Sequence, residues 1–150
     1  MTAVLETRAL CKRFGGLTAV DHVDLVVPER TIASVIGPNG AGKTTFFNCV
    51  SGFYAPEAGE IIFAGVHSLA GIAPDGVARL GISRTYQNIR LFAHMSAIEN
   101  VMVGRHPWLK AWWPEAILAS ARQRAEELAA LEEAHRLLGF VGLRGYGDEI

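Results

Sequence analysis

Eight consecutive residues, Gly37 to Thr44, constrain this chain more than any other part of its sequence. They read Gly-Pro-Asn-Gly-Ala-Gly-Lys-Thr and fit the pattern G-x-x-x-x-G-K-[ST] at every position. The nearly continuous apolar run before them, Thr31 to Ile36, predicts a strand that is buried on both faces. A helix from Thr44 to about Ser51, ending at Gly52, is predicted to follow. This order predicts an α/β fold with a phosphate-binding loop between strand and helix.

The residue types in this loop suit the chemistry of a phosphate. Small residues let successive backbone N–H groups curve around phosphate oxygens, and the first turn of the helix adds amides and the positive end of its dipole. We expect Lys43 to neutralise the β- and γ-phosphates and the Thr44 hydroxyl to bind Mg²⁺. The alternative, a glycine-rich turn that binds nothing, has no need of Lys-Thr at its end. The predicted nucleotide-binding residues of the loop are Gly37, Pro38, Asn39, Gly40, Ala41, Gly42, Lys43, Thr44 and Thr45.

Composition excludes several other classes of protein. The 150 residues include 14 Lys and Arg against 15 Asp and Glu, a formal net charge of −1, which argues against a nucleic-acid-binding surface. Hydrophobic residues make up 50% and charged residues 19%, so we expect a large core or a surface that faces a partner. No apolar stretch reaches the roughly 18 residues of a membrane helix, and charges interrupt the first ten residues, which predicts a cytosolic chain that does not span the membrane.

Apolar runs and turn residues predict the remaining elements. The strand candidates are Val4 to Ala9, Val23 to Val27, Glu60 to Ala64 and Ile82 to Tyr86. A short helix is predicted from Pro74 to Leu80, stopped by Gly81, and Ser96 with Glu99 forms a capping box that starts another. A long amphipathic helix is predicted from about Pro114 to Leu138 and closed by Gly139. The residues predicted to form the apolar stripe on one face of this helix are Leu128, Leu131, His135 and Leu138. An ion pair is predicted between Glu132 and Arg136.

Cysteine and histidine show no spacing typical of a metal site. Cys11 and Cys49 lack CxxC spacing, so we expect two reduced, buried thiols. The histidines are isolated from one another and from any nucleophile, which favours surface or core roles. They are His22, His67, His94, His106 and His135.

Three segments together resemble one family. GPNGAGKTT resembles the Walker A segment of ABC-type ATPases, and Leu10 to Leu17 resembles the segment that supplies their adenine-stacking aromatic, which implies that role for Phe14. Taken alone, Phe14 fits a core residue better. Arg84 to Asn88 resembles the Q-loop, which implies that Gln87 reaches the magnesium and the water near the γ-phosphate. The resemblance therefore implies catalytic roles for Lys43 and Gln87, and Thr44 and Gln87 as magnesium ligands.

A finer resemblance is to the ATP-binding subunit of branched-chain amino acid importers, of the type with the longer helical insert. It is carried by FGGLTAVDHVDL, IGPNGAGKTTFFNCVSGFYAPEAGEI and SRTYQNIRLFAHMSAIENVMVGRH. The resemblance implies ATP and Mg²⁺ as ligands, and membrane-embedded permease subunits and a second ATP-binding subunit as partners. It implies a peripheral position at the cytoplasmic face of the inner membrane. It also implies an ABC ATPase fold, with an antiparallel β subdomain and P-loop core in residues 1–87, and the Q-loop exit and the start of a helical subdomain in residues 88–150.

Other motifs of that family are absent from the sequence. There is no LSGGQ-like signature, no apolar strand ending in aspartate and catalytic glutamate, and no switch histidine, while Asp148 and Glu149 do not follow an apolar strand. We therefore expect a domain that is incomplete at its C-terminus, an uncovered apolar edge at Thr31 to Ile36, and very slow ATP hydrolysis. The alternatives are a hydrolysis-deficient nucleotide-binding or interaction fragment, and a P-loop kinase, which would lack the upstream aromatic and the Q-loop.

Two groups of residues are candidates for contact with a membrane-embedded subunit. Trp108, Trp112 and Trp113 fit packing within the helical subdomain better than such a contact, although aromatic residues are enriched in interface cores. By resemblance, the docking surface is expected just beyond Gln87, at Arg90, Leu91 and Phe92.

Overall fold

A long β-hairpin begins the chain. In the computed structural model, which describes residues 3–86, 90–105 and 121–149, strands β1 (Ala3–Phe14) and β2 (Leu17–Pro28) pair antiparallel. Strand β3 (Ala58–Phe63) pairs with the other edge of β1, and the short β4 (His67–Ser68) pairs with β3. The resulting antiparallel sheet has the order β2-β1-β3-β4 and belongs to the first of two compact units, Met1–Arg84 and Thr85–Ile150.

Three of the predicted strands are confirmed. The predictions from Val4 and from Val23 form parts of β1 and β2, which extend further because the two strands pair along their whole length, from Ala3 with Pro28 to Phe14 with Leu17. The prediction from Glu60 lies within β3 except at its last residue, and β3 begins two residues earlier.

Two other strand predictions are wrong. Residues 31–36 and 82–86 form no strand, and the side chains of Ile32 and Ile36 are 100% and 92% exposed. A strand needs a neighbour to take its backbone N–H and C=O groups, and in the described part of the chain the four strands pair only with one another. The expected apolar segment is therefore present and uncovered, but without the geometry of a strand.

The helices of this unit agree with the sequence. Helix α1 (Lys43–Val50) begins one residue before the prediction, and Gly52 beyond it has φ 78°. A Cβ atom on Gly52 would lie 2.5 Å from the carbonyl oxygen of Ile72, so the close approach of two chain segments also requires glycine there. Helix α2 (Pro74–Arg79) has proline in its first turn and ends one residue earlier than predicted.

One hydrophobic cluster holds the sheet and α1 together. It combines residues from β1, β2 and β3 with one face of α1, and both cysteines are buried as expected. Its buried members are Leu10, Val20, Phe46, Cys49, Val50, Ile61 and Leu69. This packing fixes the start of α1, and hence the end of the glycine-rich loop, against the hairpin.

The second unit contains α3 (Ala97–Arg105) and α4 (Ala121–Phe140). The capping box before α3 is confirmed: the Ser96 backbone N–H donates to Glu99 Oε2 at 2.7 Å, and the Glu99 N–H donates to Ser96 Oγ at 3.4 Å. The two helices pack through Ile98, Ala134 and Leu138. Among the described residues, no helix is long and apolar enough to cross a membrane.

Two details predicted for α4, its end and its ion pair, are wrong. The helix passes through Gly139 to Phe140, and Gly142, with φ 83°, lies just beyond its end. Arg136 pairs with Glu133 at 2.6 Å instead of with Glu132, because a residue three positions away also lies on the same helix face.

The apolar stripe of α4 is also displaced from the prediction. Leu131 and Leu138 contact the core, but Leu128 is 61% exposed and His135 is exposed, while the small Ala130 and Ala134 are buried. The small side chain of Ala134 packs in one cluster with Ile98 of α3. The predicted start at Pro114, the three tryptophans and His106 lie outside the described residues.

Candidate functional site

The glycine-rich loop folds back on itself before α1. The Ala41 N–H donates to the Pro38 carbonyl at 3.2 Å, and the Phe46 N–H donates to the Gly42 carbonyl at 2.8 Å to begin the helix. Gly42 has φ 83°, and a Cβ atom there would lie 2.0 Å from the Ala19 carbonyl oxygen. Glycine at this position is therefore required both by the backbone conformation and by the closeness of β2.

Lys43 reaches back over this loop. Its Nζ donates to the carbonyl oxygens of Gly37 and Pro38, both at 2.6 Å. The start of α1 carries no side-chain cap and no acidic residue in its first turn, while Thr44 is exposed beside it. An ammonium group and the positive end of a helix thus lie at one loop, an arrangement that attracts an anion.

Phe14 lies at the end of β1 and is 44% exposed, so it is not the core residue that its type alone suggests. Its ring contacts Tyr54 edge to face, with 5.3 Å between ring centroids. The ammonium group of Lys12 lies 5.2 Å from the centroid of the Phe14 ring and 6.0 Å from that of Tyr54. Phe14 is therefore a half-exposed ring whose orientation is fixed by neighbours.

Glu57 holds Lys12, whose ammonium group lies beside both rings. It accepts hydrogen bonds from Lys12 Nζ at 2.6 Å and from the Arg13 backbone N–H at 2.7 Å. The hydrogen bond from Lys12, and then that from Arg13, lower the pKa of the Glu57 carboxyl. The sequence did not reveal Lys12, Tyr54 and Glu57 as supports, because their contacts join residues forty or more positions apart and the only local signal was a turn near Pro56.

A cavity of about 550 Å³ borders the same loop on its other side. It lies between β2, residues 34–36 and α1, and neither Phe14 nor Tyr54 lines it. Much of its wall is apolar, formed by Val20, Val23, Leu25, Val35, Ile36 and Phe46. Ala41, Gly42 and Lys43 of the glycine-rich loop line the cavity as well, so it joins the phosphate loop to an uncovered part of the hydrophobic core.

Gln87 lies outside the described residues. The chain that leads to it is fixed to α1 as far as Arg84, whose Nη1 donates to Asn48 Oδ1 at 2.6 Å and to Ser51 Oγ at 3.0 Å. Asp148 and Glu149 follow helix α4 and turns, and no strand lies before them in residues 121–149.

A family model described as ABC transporter matches residues 20–146. The chain belongs to the ABC transporter family. The ATP-binding protein LivG for high-affinity branched-chain amino acid transport, from Salmonella typhimurium, is 44% identical over 140 residues, which cover 93% of this chain and 54% of LivG. BraF of Pseudomonas aeruginosa, with the same description, is 42% identical over 145 residues, covering 97% of this chain and 56% of BraF.

A solved structure supports the same assignment. A nucleotide-free ATP-binding cassette from an ABC transporter matches 98% of this chain and 57% of its own length, with a TM-score of 0.76 and 27% identity. The resemblance to branched-chain amino acid ATP-binding subunits and the partial ABC ATPase fold are therefore confirmed. The chain spans about half the length of the curated relatives that it matches.

Proposed function

We propose that this chain acts in the ATP-binding subunit of an ABC importer and couples ATP binding and hydrolysis to the uptake of branched-chain amino acids. The observation that carries this proposal is the loop at Gly37 to Thr44, with Lys43 folded over it, in a chain 44% identical to LivG. The names of the relatives indicate the substrate class, and the residues of the loop account for the binding of phosphate.

The donors present at the loop suit a nucleotide triphosphate. An ammonium group has three N–H donors, and the Gly37 and Pro38 carbonyls take two of those of Lys43, so one is left for a phosphate oxygen. Among the described residues, no carboxylate pairs with Lys43, so its positive charge is available to an anion. The first-turn amides of α1 add further donors.

The remaining residues have separate roles in this proposal. The Phe14 ring stacks on the adenine, since a half-exposed aromatic face accepts a purine. The Thr44 hydroxyl and the Gln87 side chain hold Mg²⁺, which neutralises charge on the phosphates during transfer. Gly37, Pro38, Asn39, Gly40, Ala41 and Thr45 contribute the loop backbone. Lys43 holds the phosphates, and Gln87 orients the attacking water.

Partners follow from the same proposal. Membrane-embedded permease subunits and a second ATP-binding subunit would complete the importer, with this chain at the cytoplasmic face of the membrane. A hydrolysis-deficient nucleotide-binding chain is the second candidate, because the donors at the phosphate loop account for nucleotide binding without supplying a base for the attacking water. ATP binding with hydrolysis no faster than that of the Lys43→Ala chain would select this second candidate.

Uptake in the source cell tests the proposal. Cells whose gene carries Lys43→Ala should lose at least about tenfold of their high-affinity uptake of radiolabelled leucine, because a charge-assisted hydrogen bond to phosphate is removed. Uptake of galactose should be unchanged. It is measured as an alternative substrate because a galactose import ATP-binding protein of Clostridium tetani is 38% identical over 109 residues. Arg79→Ala, which removes an exposed cation from α2, serves as the matched control. Loss of galactose uptake with normal leucine uptake would contradict the proposal.

A further inference from the structure

Three metal-ligating side chains lie together on the hairpin, outside the proposed nucleotide site. Cys11 on β1, and Asp21 and His22 on β2, each offer one ligand atom, and these atoms lie within 4.8 Å of one another. Sequence spacing gave no sign of this cluster, since nine residues separate the cysteine from the aspartate. The pairing of β1 with β2 brings them together.

A β-bulge explains why two successive residues face one cysteine. Leu10 pairs with Val23 and Lys12 pairs with Val20, so Cys11 stands opposite both Asp21 and His22. In a regular strand, neighbouring side chains point to opposite faces of the sheet. At this bulge His22 has φ 45°, and its backbone N–H donates to Cys11 Sγ at 3.2 Å. The irregular backbone thus directs both polar side chains towards the thiol.

The three ligand atoms differ in how accessible they are. Cys11 is 3% exposed, whereas the Asp21 and His22 side chains are about two-thirds exposed. His22 Nδ1 lies 2.7 Å from Asp21 Oδ1, so carboxylate and imidazole are already held close together. A buried sulfur with two accessible ligands beside it leaves a side open for the entry of an ion and for a coordinated water.

The donor set selects the class of ion. One sulfur, one imidazole nitrogen and one carboxylate oxygen suit a borderline transition metal such as Zn²⁺, which accepts all three ligand types in tetrahedral geometry. Mg²⁺ prefers oxygen ligands and an octahedral shell, so this cluster is chemically distinct from the magnesium ligands proposed at the phosphate loop. Cys49, also buried, lies outside the cluster.

We propose that Cys11, Asp21 and His22 form a zinc-binding site that joins β1 to β2, with water as the fourth ligand. On binding, the Cys11 thiol gives its proton to solvent and the thiolate coordinates the ion. The ion replaces the hydrogen bond between Asp21 and His22. This site is independent of the proposed transport function, because none of its three residues belongs to the nucleotide-binding set.

Cobalt titration of the 150-residue chain, without nucleotide, tests the site, because Co²⁺ takes zinc sites and shows a thiolate-to-metal charge-transfer band. We expect one cobalt ion per chain, displaced by Zn²⁺, with the band lost in Cys11→Ala and kept in Cys49→Ala. Asp21→Asn and His22→Gln should each weaken cobalt binding by at least about tenfold. Because both of these residues are exposed, the two variants test the site even where Cys11→Ala fails to fold.

A matched histidine variant separates a built site from surface binding. His67→Gln removes an exposed imidazole from β4 and should leave the cobalt titration unchanged. The absence of a charge-transfer band, a band that His22→Gln leaves intact, or an equal loss in His67→Gln would each overturn the proposal. Zinc should also raise the unfolding temperature of the wild-type chain and not that of His22→Gln, as expected for an ion that binds only the folded state.

Discussion

The phosphate end and the adenine end of the proposed nucleotide site are built in different ways. At the phosphate end, Lys43 contacts carbonyl groups five and six residues earlier, so its own contacts are local, although Gly42 of the same loop lies against β2. At the adenine end, Phe14 contacts Tyr54, and Lys12 contacts Glu57, across forty or more residues. Local contacts therefore fix the Lys43 side chain, whereas the Phe14 ring takes its position only once the sheet has formed.

The largest expected effect comes from breaking the phosphate end. Gly42→Ala should destabilise the chain by about 3 kcal/mol or more, because the new Cβ would meet the Ala19 carbonyl oxygen at 2.0 Å in a backbone of positive φ. Gly40→Ala is the matched control: Gly40 has φ 84° but nothing within 4 Å of its Cβ position, so about 1 kcal/mol is expected. Urea unfolding measures both, and equal losses would show that the approach of β2 does not constrain the loop.

A smaller effect is expected at the adenine end. Phe14→Ala should weaken ATP binding by roughly tenfold, because base–aromatic stacking contributes about 1–3 kcal/mol. It should leave the binding of inorganic triphosphate unchanged, which separates the two ends of the site. Phe14→Leu keeps apolar volume without a flat ring and should behave like Phe14→Ala. Normal ATP affinity in Phe14→Ala would remove this residue from the site.

Tyr54→Ala sharpens the same comparison. If Tyr54 acts only by orienting Phe14, its loss should cost about 1 kcal/mol of ATP binding, the usual value of an aromatic pair. The variant that lacks both rings should then bind no more weakly than Phe14→Ala alone. Additive losses in fluorescence titrations would show instead that Tyr54 contacts the nucleotide itself.

The smallest effect is the response of the adenine end to acid. The folded pKa of Glu57 lies below its ordinary value of 4.5, chiefly because of the hydrogen bond from Lys12. Its contribution to stability is therefore complete above pH 4.5 and is lost as the pH falls through the folded pKa. The NMR shift of the Arg13 amide, which donates to this carboxylate, should move in that acid range and stay constant there in Glu57→Gln. A wild-type Arg13 amide shift that stays constant over this pH range would contradict the hydrogen bond from Arg13 to Glu57.

The difference between local and long-range contacts also explains which other features the sequence could predict. The capping box at Ser96 and Glu99 is predictable because both residues lie within one helical turn. Whether Thr31 to Ile36 forms a strand is not predictable in this way, because an apolar run becomes a strand only when another strand accepts its hydrogen bonds. The displaced stripe of α4 depends on which face meets α3, and helix periodicity alone does not fix the face.

The cluster of Cys11, Asp21 and His22 shows the same limit more strongly. A bulge in β2 and its register against β1 place these side chains together, and neither feature has a signature in the residues themselves. The sequence likewise gives no sign of the tertiary contacts around Phe14. Beside the phosphate loop, the sequence predicted the start of α1 to within one residue but wrongly predicted a strand before the loop.

Calorimetric titration of the 150-residue chain with Mg-ATP tests the central claim, that Lys43 and its loop bind the phosphates of a nucleotide. Lys43→Ala should weaken ATP binding by at least about tenfold, the value of one charge-assisted hydrogen bond. Arg79→Ala, which removes an exposed cation from the same unit, should bind ATP as the wild type does. Equal ATP affinity in the wild-type and Lys43→Ala chains, both folded by circular dichroism, would contradict the account.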